Sequence, residues 1–200
     1  FNATALSKEV ELQQAQQKIL RTIQEQPVDI FFGQEFTGKT AAYNKKAIQF
    51  LSTEMGLKHS FQGGESSLAI FSKYPIIKKG TIDFENSYNG AIYADLQYPN
   101  KIIRVYCFHL QSIRLGADEQ EIFNSDNLSS LNEDQTQKKY KRIGSKLKNA
   151  FLRREEQANF IAQHIQNSPH PVLVCGDMND TPTSFAYHQL SYGLTDAFGQ

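Results

Sequence analysis

Two hundred residues with 40% hydrophobic content suffice for one compact α/β or α+β domain. Basic and acidic residues cancel at 21 each, which excludes a whole-chain polycation that clamps nucleic acid by counterion release, although a local basic face would still serve. No run approaches about eighteen consecutive apolar residues and no signal peptide opens the chain, so a soluble piece is expected, any export signal or membrane anchor lying upstream.

Residues 7–24 carry Leu12, Ala15, Ile19 and Ile23 at helical spacing, and Gln26-Pro27 ends the pattern. Val28-Asp29-Ile30-Phe31-Phe32 then suits a short buried strand that stops at Gly33-Gln34-Glu35. A second helix is expected over 40–55, with Gly56 as its C-cap. Four strand-like runs follow at 67–71, 76–84, 91–98 and 101–110. Their connections, Lys-Tyr-Pro, Asn-Ser-Tyr-Asn-Gly and Pro-Asn, are too short for crossover helices, so the strands should pair as antiparallel hairpins rather than as a doubly wound parallel sheet. A polar segment over 116–137 reads as loop or irregular helix. Basic residues crowd 138–154, and a helix is expected over 147–166 with Ala150, Phe151, Ala158, Ile161, Ala162 and Ile165 on its apolar faces. Ser168-Pro169-His170-Pro171 breaks it, a short buried strand occupies 172–175, and a helix follows at 183–190. There is no repeat and no low-complexity linker, which makes residues 1–200 a single domain. Cys107 and Cys175, inside apolar runs without CxxC spacing, read as buried free thiols.

Two of the apolar strands empty into polar clusters: one into Gln34-Glu35, the other into Gly176-Asp177-Met178-Asn179-Asp180. A strand that fixes the backbone and projects oxygen ligands from its end is what a hard cation needs, and magnesium takes only one or two protein carboxylates. Alone, an acid after a strand is more often a turn or cap residue. A third strand ends at Phe108-His109-Leu110-Gln111-Ser112. A lone histidine there is commonly structural, but it can also hydrogen-bond a phosphate or protonate a leaving group near neutral pH.

Taken in order, Gln34-Glu35, Phe108-His109-Leu110-Gln111-Ser112 and Gly176-Asp177-Met178-Asn179-Asp180 resemble the endonuclease/exonuclease/phosphatase superfamily. Ser67-Leu68-Ala69-Ile70-Phe71-Ser72-Lys73-Tyr74-Pro75 and the Arg154-x-x-Gln157-Ala158 segment are closest to its uncharacterised bacterial members. The resemblance implies a deoxyribonuclease I-like fold, an α+β four-layer sandwich of two mixed, largely antiparallel sheets flanked by helices. It implies hydrolysis of phosphodiester or phosphomonoester bonds by in-line water attack, with Mg2+ (or Mn2+ or Ca2+) as cofactor. By motif, Glu35 would ligate the metal, and Asp177 would orient or deprotonate the water. Asn179 would hold phosphate or water, and His109 would bind phosphate and assist the leaving group. Gln34, Gln111 and Arg154 would support the substrate side. The partner implied is a phosphate-ester substrate: nucleic acid, phospholipid or inositol phosphate.

The family's first-strand asparagine and its closing Ser-Asp-His motif have no counterpart here, so the fold is expected to lack its first and last strands. A catalytically impaired fragment is then expected, with open edges that favour dimers, and the alternative is a noncatalytic binding module on the same fold. Asn86-Ser87-Tyr88-Asn89-Gly90 reads as a hairpin loop or a substrate-contacting one, and the basic run as a solvated helix face. Asp180 reads as a cap for Thr181-Pro182-Thr183, and His188 as an ordinary helix residue.

Overall fold

The computed structural model describes residues 14–197, apart from 16, 20, 37–40, 65–66, 117–118 and 120–132. The described residues of 14–24 are helical, with Ala15 and Ile19 exposed and Ile23 half-buried. The earlier part of that expected helix, and most of the polar segment 116–137, lie outside the described residues. The elements that follow are β1 (Ile30–Gly33), α1 (Ala41–Gln49), β2 (His59–Gly63), β3 (Leu68–Ser72), β4 (Ile76–Asp83), β5 (Gly90–Tyr98), β6 (Lys101–His109), α2 (Glu133–Gln166), β7 (Val172–Asp177) and α3 (Phe185–Ser191). After α1 the chain widens into a π-helical turn, Phe50–Glu54. Gly56, at φ +70°, ends it, and the Leu57 N–H donates to the Leu51 carbonyl.

Two sheets form, one ordered β1-β3-β2 and one ordered β4-β5-β6-β7. In β3, Leu68 and Ile70 face the second sheet, where they pack with Ile92, Ala94 and Leu96 of β5 and Val105 and Cys107 of β6. Its other face, Ala69 and Phe71, packs on Leu51 and Leu57 after α1. A strand covered on both faces has no reason to alternate, hence its unbroken apolar sequence. The outer face of the second sheet carries Ile82, Ala91, Tyr106 and Phe108, covered by Ala158, Ile161, Ala162 and Ile165 of α2. Helix, sheet, sheet and helix make the four-layer α+β sandwich implied by the resemblance.

The hairpins β4-β5 and β5-β6 are antiparallel as expected, while β3 and β4 do not pair. Both edges of β3 are already occupied, by β1 and by β2, so Lys73-Tyr74-Pro75 carries the chain across to the other sheet. Strand β2 was not expected, because His59-Ser60-Phe61-Gln62-Gly63 holds a single large apolar residue. Helix α2 begins at Glu133 rather than at 147. Its first half has only a thin apolar stripe, Tyr140, Ile143 and Leu147, and is tied largely by charge: the enclosed Glu119 carboxylate accepts from Lys146 Nζ at 2.6 Å, Arg142 Nε at 2.5 Å and the Gly116 N–H at 2.7 Å. Phe151 is exposed rather than core, stacked against the Arg154 guanidinium at 4.6 Å. Strand β7 is a half-buried edge, so Cys175 is exposed, and of the two free thiols Cys107 alone is buried.

At the far end of the second sheet, Asp95 and Arg104 stand directly opposite each other on β5 and β6. The carboxylate takes Nε at 2.6 Å and Nη2 at 2.8 Å, both side chains being almost fully buried. Burial alone would raise the Asp95 carboxyl; the Arg104 hydrogen bond and charge, helped by His170, hold it below its ordinary range. Arg104→Met leaves that carboxylate buried without its partner and should cost about 3 kcal/mol in urea unfolding, most of it recovered in the Asp95→Leu/Arg104→Met double variant.

Lys146, then Arg142, lower the Glu119 carboxyl from 4.5 to about 2. A depressed carboxylate stabilises the fold fully above its ordinary value and progressively less as pH falls toward the native one. Wild-type protein should therefore melt above Glu119→Gln at pH 6, and the gap should close between pH 4.5 and 2; a gap constant with pH would contradict the charge tie.

Candidate active site

Strands β6 and β7 run parallel, in a register that sets His109 opposite Asp177. Because side chains alternate along a strand, both residues share the face that looks between the sheets, with Val105, Cys107, Leu173 and Cys175. Gly176 makes this register possible: a Cβ there would lie 2.5 Å from the Phe108 carbonyl oxygen and 2.6 Å from its ring. His109 Nε2 stands 3.8 Å from Asp177 Oδ2, beyond direct hydrogen bonding but within ionic reach. The imidazole is nearly buried, its Nδ1 without a hydrogen-bond partner among the described residues, whereas the Asp177 side chain is half exposed. One group is therefore withdrawn into the sandwich and the other reaches solvent, side by side.

Leu110, the residue after β6, ties the loops together. Its N–H donates to the Asp177 carbonyl, and its own carbonyl accepts from Asn89 Nδ2 and from Asn179 Nδ2, each at 2.8 Å. The Asn179 N–H also donates to Asp177 Oδ1 at 2.8 Å, which fixes one carboxylate oxygen and leaves the other toward His109. Asn179 takes φ 50°, a left-handed turn that asparagine tolerates well. Its amide is thus partly committed to holding two strand ends together.

The next residues rest on buried polar groups. Gln111 donates its N–H to Gln157 Oε1 at 2.9 Å, and its carbonyl accepts from Arg154 Nη1 at 3.0 Å. Arg154 is buried, and its charge is met by Asp180 Oδ2 at 2.8 Å. Asp180 Oδ1 accepts the Thr181 N–H, the cap expected of it, so this one carboxylate both caps a turn and neutralises the arginine beneath the site. His188 sits exposed on α3, as an ordinary helix residue.

Glu35 comes from the other sheet. It follows β1 at φ 50° and is exposed. Gln34 before it donates Nε2 to Cys107 Sγ at 3.3 Å, and the Cys107 thiol points at the Gly33 carbonyl, 3.6 Å away. These contacts bring the end of β1 to the end of β6, two residues from His109. Burial pushes the Cys107 thiol up to about 12, so it stays protonated and inert as a nucleophile.

The structure therefore gathers His109, Asp177 and Asn179 directly, with Gln111 and Arg154 below them and Gln34 and Glu35 at the adjoining rim. Asn89 and Gln157 complete the support. Asn89 was not expected as an anchor, because Asn-Gly between two strands signals only a turn; Gln157 was visible only through its spacing from Arg154. Among the described residues no three His, Cys, Asp or Glu side chains converge as a closed metal cage. The oxygen donors are instead sparse and open, Glu35 exposed and Asp177 half exposed, which suits a cation that keeps most of its water. No helix among the described residues is long and apolar enough to cross a membrane.

Solved structures with the same fold include a doubly substituted beta toxin from Staphylococcus aureus with bound magnesium ions. It is 17% identical over 90% of this chain and 64% of that one, at a TM-score of 0.58. Sphingomyelinase C from Streptomyces griseocarneus is 17% identical over 88% of this chain and 62% of its own, at 0.59. A humanized D. rerio TDP2 is 16% identical over 91% and 64%, at 0.57. This chain thus spans less than two thirds of each. No curated protein sequence matches it. The Endonuclease/Exonuclease/phosphatase family profile matches residues 7–197, and with the two-sheet sandwich already in place the chain belongs to that family of phosphoester hydrolases.

Proposed function

We propose that this chain carries the hydrolytic centre of a divalent-metal-dependent phosphoesterase in which water attacks phosphorus in line with the leaving oxygen. The observation that carries the reading is the His109–Asp177 juxtaposition: a withdrawn imidazole and an accessible carboxylate at facing positions of parallel strands.

Each group suits one task. With Oδ1 held by the Asn179 N–H, the Asp177 carboxylate keeps Oδ2 for orienting a water and taking its proton. His109 presents Nε2 to a phosphate oxygen and supplies a proton toward the departing alkoxide. Its buried environment strengthens that hydrogen bond, because little water competes. Asn179, tied to Leu110, keeps the two in register and offers its remaining amide hydrogen to phosphate or water. Glu35 would hold the cation, in our reading magnesium, which supplies charge neutralisation at the phosphate oxygens when bound. Gln34, Gln111 and Arg154 act as positioning residues: Gln34 rests on the Cys107 sulfur, while Gln111 and Arg154 bond to backbone carbonyls of the segment after β6.

With bis-(p-nitrophenyl) phosphate and magnesium, Asp177→Asn and His109→Ala should each lower kcat/KM by about 10²- to 10⁴-fold. Glu35→Gln should raise the magnesium concentration needed for half-maximal rate, and EDTA should abolish turnover. Full activity in Asp177→Asn, or indifference to EDTA, would overturn the reading. Gly176→Ala tests the positioning argument separately. The added methyl forces β7 off β6, so kcat/KM should drop by about 10²-fold in a protein that still melts cooperatively, since displacement near 1 Å has that cost.

A further inference from the structure

From Gln111 outward a groove of about 450 Å³ runs between the segment that follows β6 and the middle of α2. Its floor begins at Gln111 and its walls include Arg114, Lys146, Leu152 and Arg153, with no acidic side chain among the described residues that line it. Lys146 is committed to Glu119 and to the Arg114 carbonyl. The two arginines are not matched by a carboxylate in the same way. Arg114 is exposed at φ 52°, its guanidinium held over the Tyr88 ring at 5.3 Å, and Arg153 donates Nη1 to the neutral Asn86 carbonyl. Arg114 and Asn86, both left-handed residues, thus help to brace the two cations at the groove. Tyr88 and Leu152 add exposed apolar surface on its rim.

A chain with zero net charge places here two guanidinium groups that no carboxylate meets among the described residues, next to an aromatic ring and on a groove that starts at Gln111, two residues after His109. Guanidinium forks suit phosphate oxygens, and an exposed ring suits a stacked base. A phosphodiester whose far side ends in a cationic headgroup would be repelled. We infer that this groove is a subsite for a second phosphate, one step along from the scissile bond, and that the substrate is a single-stranded nucleic acid. The inference rests on the phosphoesterase reading for what happens at His109 and Asp177, but the groove's charge stands without it.

Equilibrium binding separates the two. Fluorescein-labelled pentathymidylate is titrated with the protein in EDTA, so that no turnover occurs, and anisotropy is followed from 50 to 200 mM salt. Arg114→Gln and Arg153→Gln should each weaken binding at least about threefold and flatten the slope of log K against log salt by about 0.7. Lys138→Gln and Lys148→Gln, exposed on α2 outside the groove, should each weaken it less than about twofold. Arg114→Lys and Arg153→Lys should restore most of the affinity, which shows that the glutamine variants lost charge rather than fold. The phosphorylated dinucleotide pTpT should displace the probe at least about tenfold better than thymidine monophosphate.

Equal losses in lysine and arginine variants would overturn the subsite, as would equal displacement by mono- and dinucleotide. So would arginine-dependent binding to phosphatidylserine vesicles tighter than to the oligonucleotide. Arginine-dependent binding without any hydrolysis would support the groove while sinking the phosphoesterase reading. Hydrolysis together with arginine-independent binding would do the reverse.

Discussion

The parallel register between β6 and β7 is the constraint on which the site depends. Parallel strands cannot be joined by a turn, so the chain spends everything between residues 110 and 171 on returning to the sheet, α2 included. The return lands with His109 against Asp177 because Gly176 lets β7 approach the Phe108 carbonyl without a side chain in the way. Leu110 then acts as the knot. One residue accepts from both asparagine amides and donates to the Asp177 carbonyl, so the β4–β5 loop, the end of β6 and the loop after β7 meet at a single position of the backbone. Moving any of these elements moves all three.

Beneath that knot the protein places a charge where an apolar core would be cheaper. Arg154 is fully enclosed, which is tolerable only because Asp180 and the Gln111 carbonyl meet its donors. The pair links α2 to the loop that carries Asp177 and Asn179. At the opposite end of the sheet, Asp95 and Arg104 play the corresponding role between β5 and β6. Apolar packing alone would let the layers slide, since it has no direction. One buried ion pair fixes α2 to the loop after β7 and the other fixes β5 to β6, each adding the direction that apolar packing lacks.

Much of this was legible in sequence. Strands β3, β5 and β6 announced themselves because each is largely apolar, and β4 because turn residues bound it, while Glu35, His109, Asp177 and Asn179 stood out because each lies at or just after the end of an apolar run. What sequence distance could not supply was pairing. The three-residue link after β3 looks like a hairpin and is a crossing between sheets, since occupancy of a strand's edges is a property of the whole fold. The early half of α2 was missed for the converse reason: it is held by charge to Glu119, and ion pairs leave no period in the sequence. Asn89 gave no signal because an asparagine that turns a chain and one that anchors a carbonyl are spelled alike. Cys175 and Phe151 were read as buried from their apolar neighbours, yet an edge strand exposes one face and a long helix exposes its back.

Glu35 shows what the sandwich contributes to the candidate site. It follows a strand of the sheet opposite Asp177, and among the described residues no hydrogen-bond ladder joins the two sheets. What brings them to one rim is the packing of Leu68 and Ile70 against Val105 and Cys107, together with the Gln34 amide resting on the Cys107 sulfur. That sulfur is a weak acceptor in a dry place, so the contact tolerates small shifts between the sheets in a way an ion pair would not. The left-handed backbone at Glu35 costs about 1 kcal/mol for a residue with a Cβ. Such a conformation persists where the surroundings over-determine it, and here β1 on one side and the Phe36 ring packed against Gly33 on the other do so. The exposed Glu35 carboxylate, on a strained turn after one sheet, and Asp177, the last residue of a strand in the other, are therefore held relative to each other by side-chain packing rather than by paired backbone.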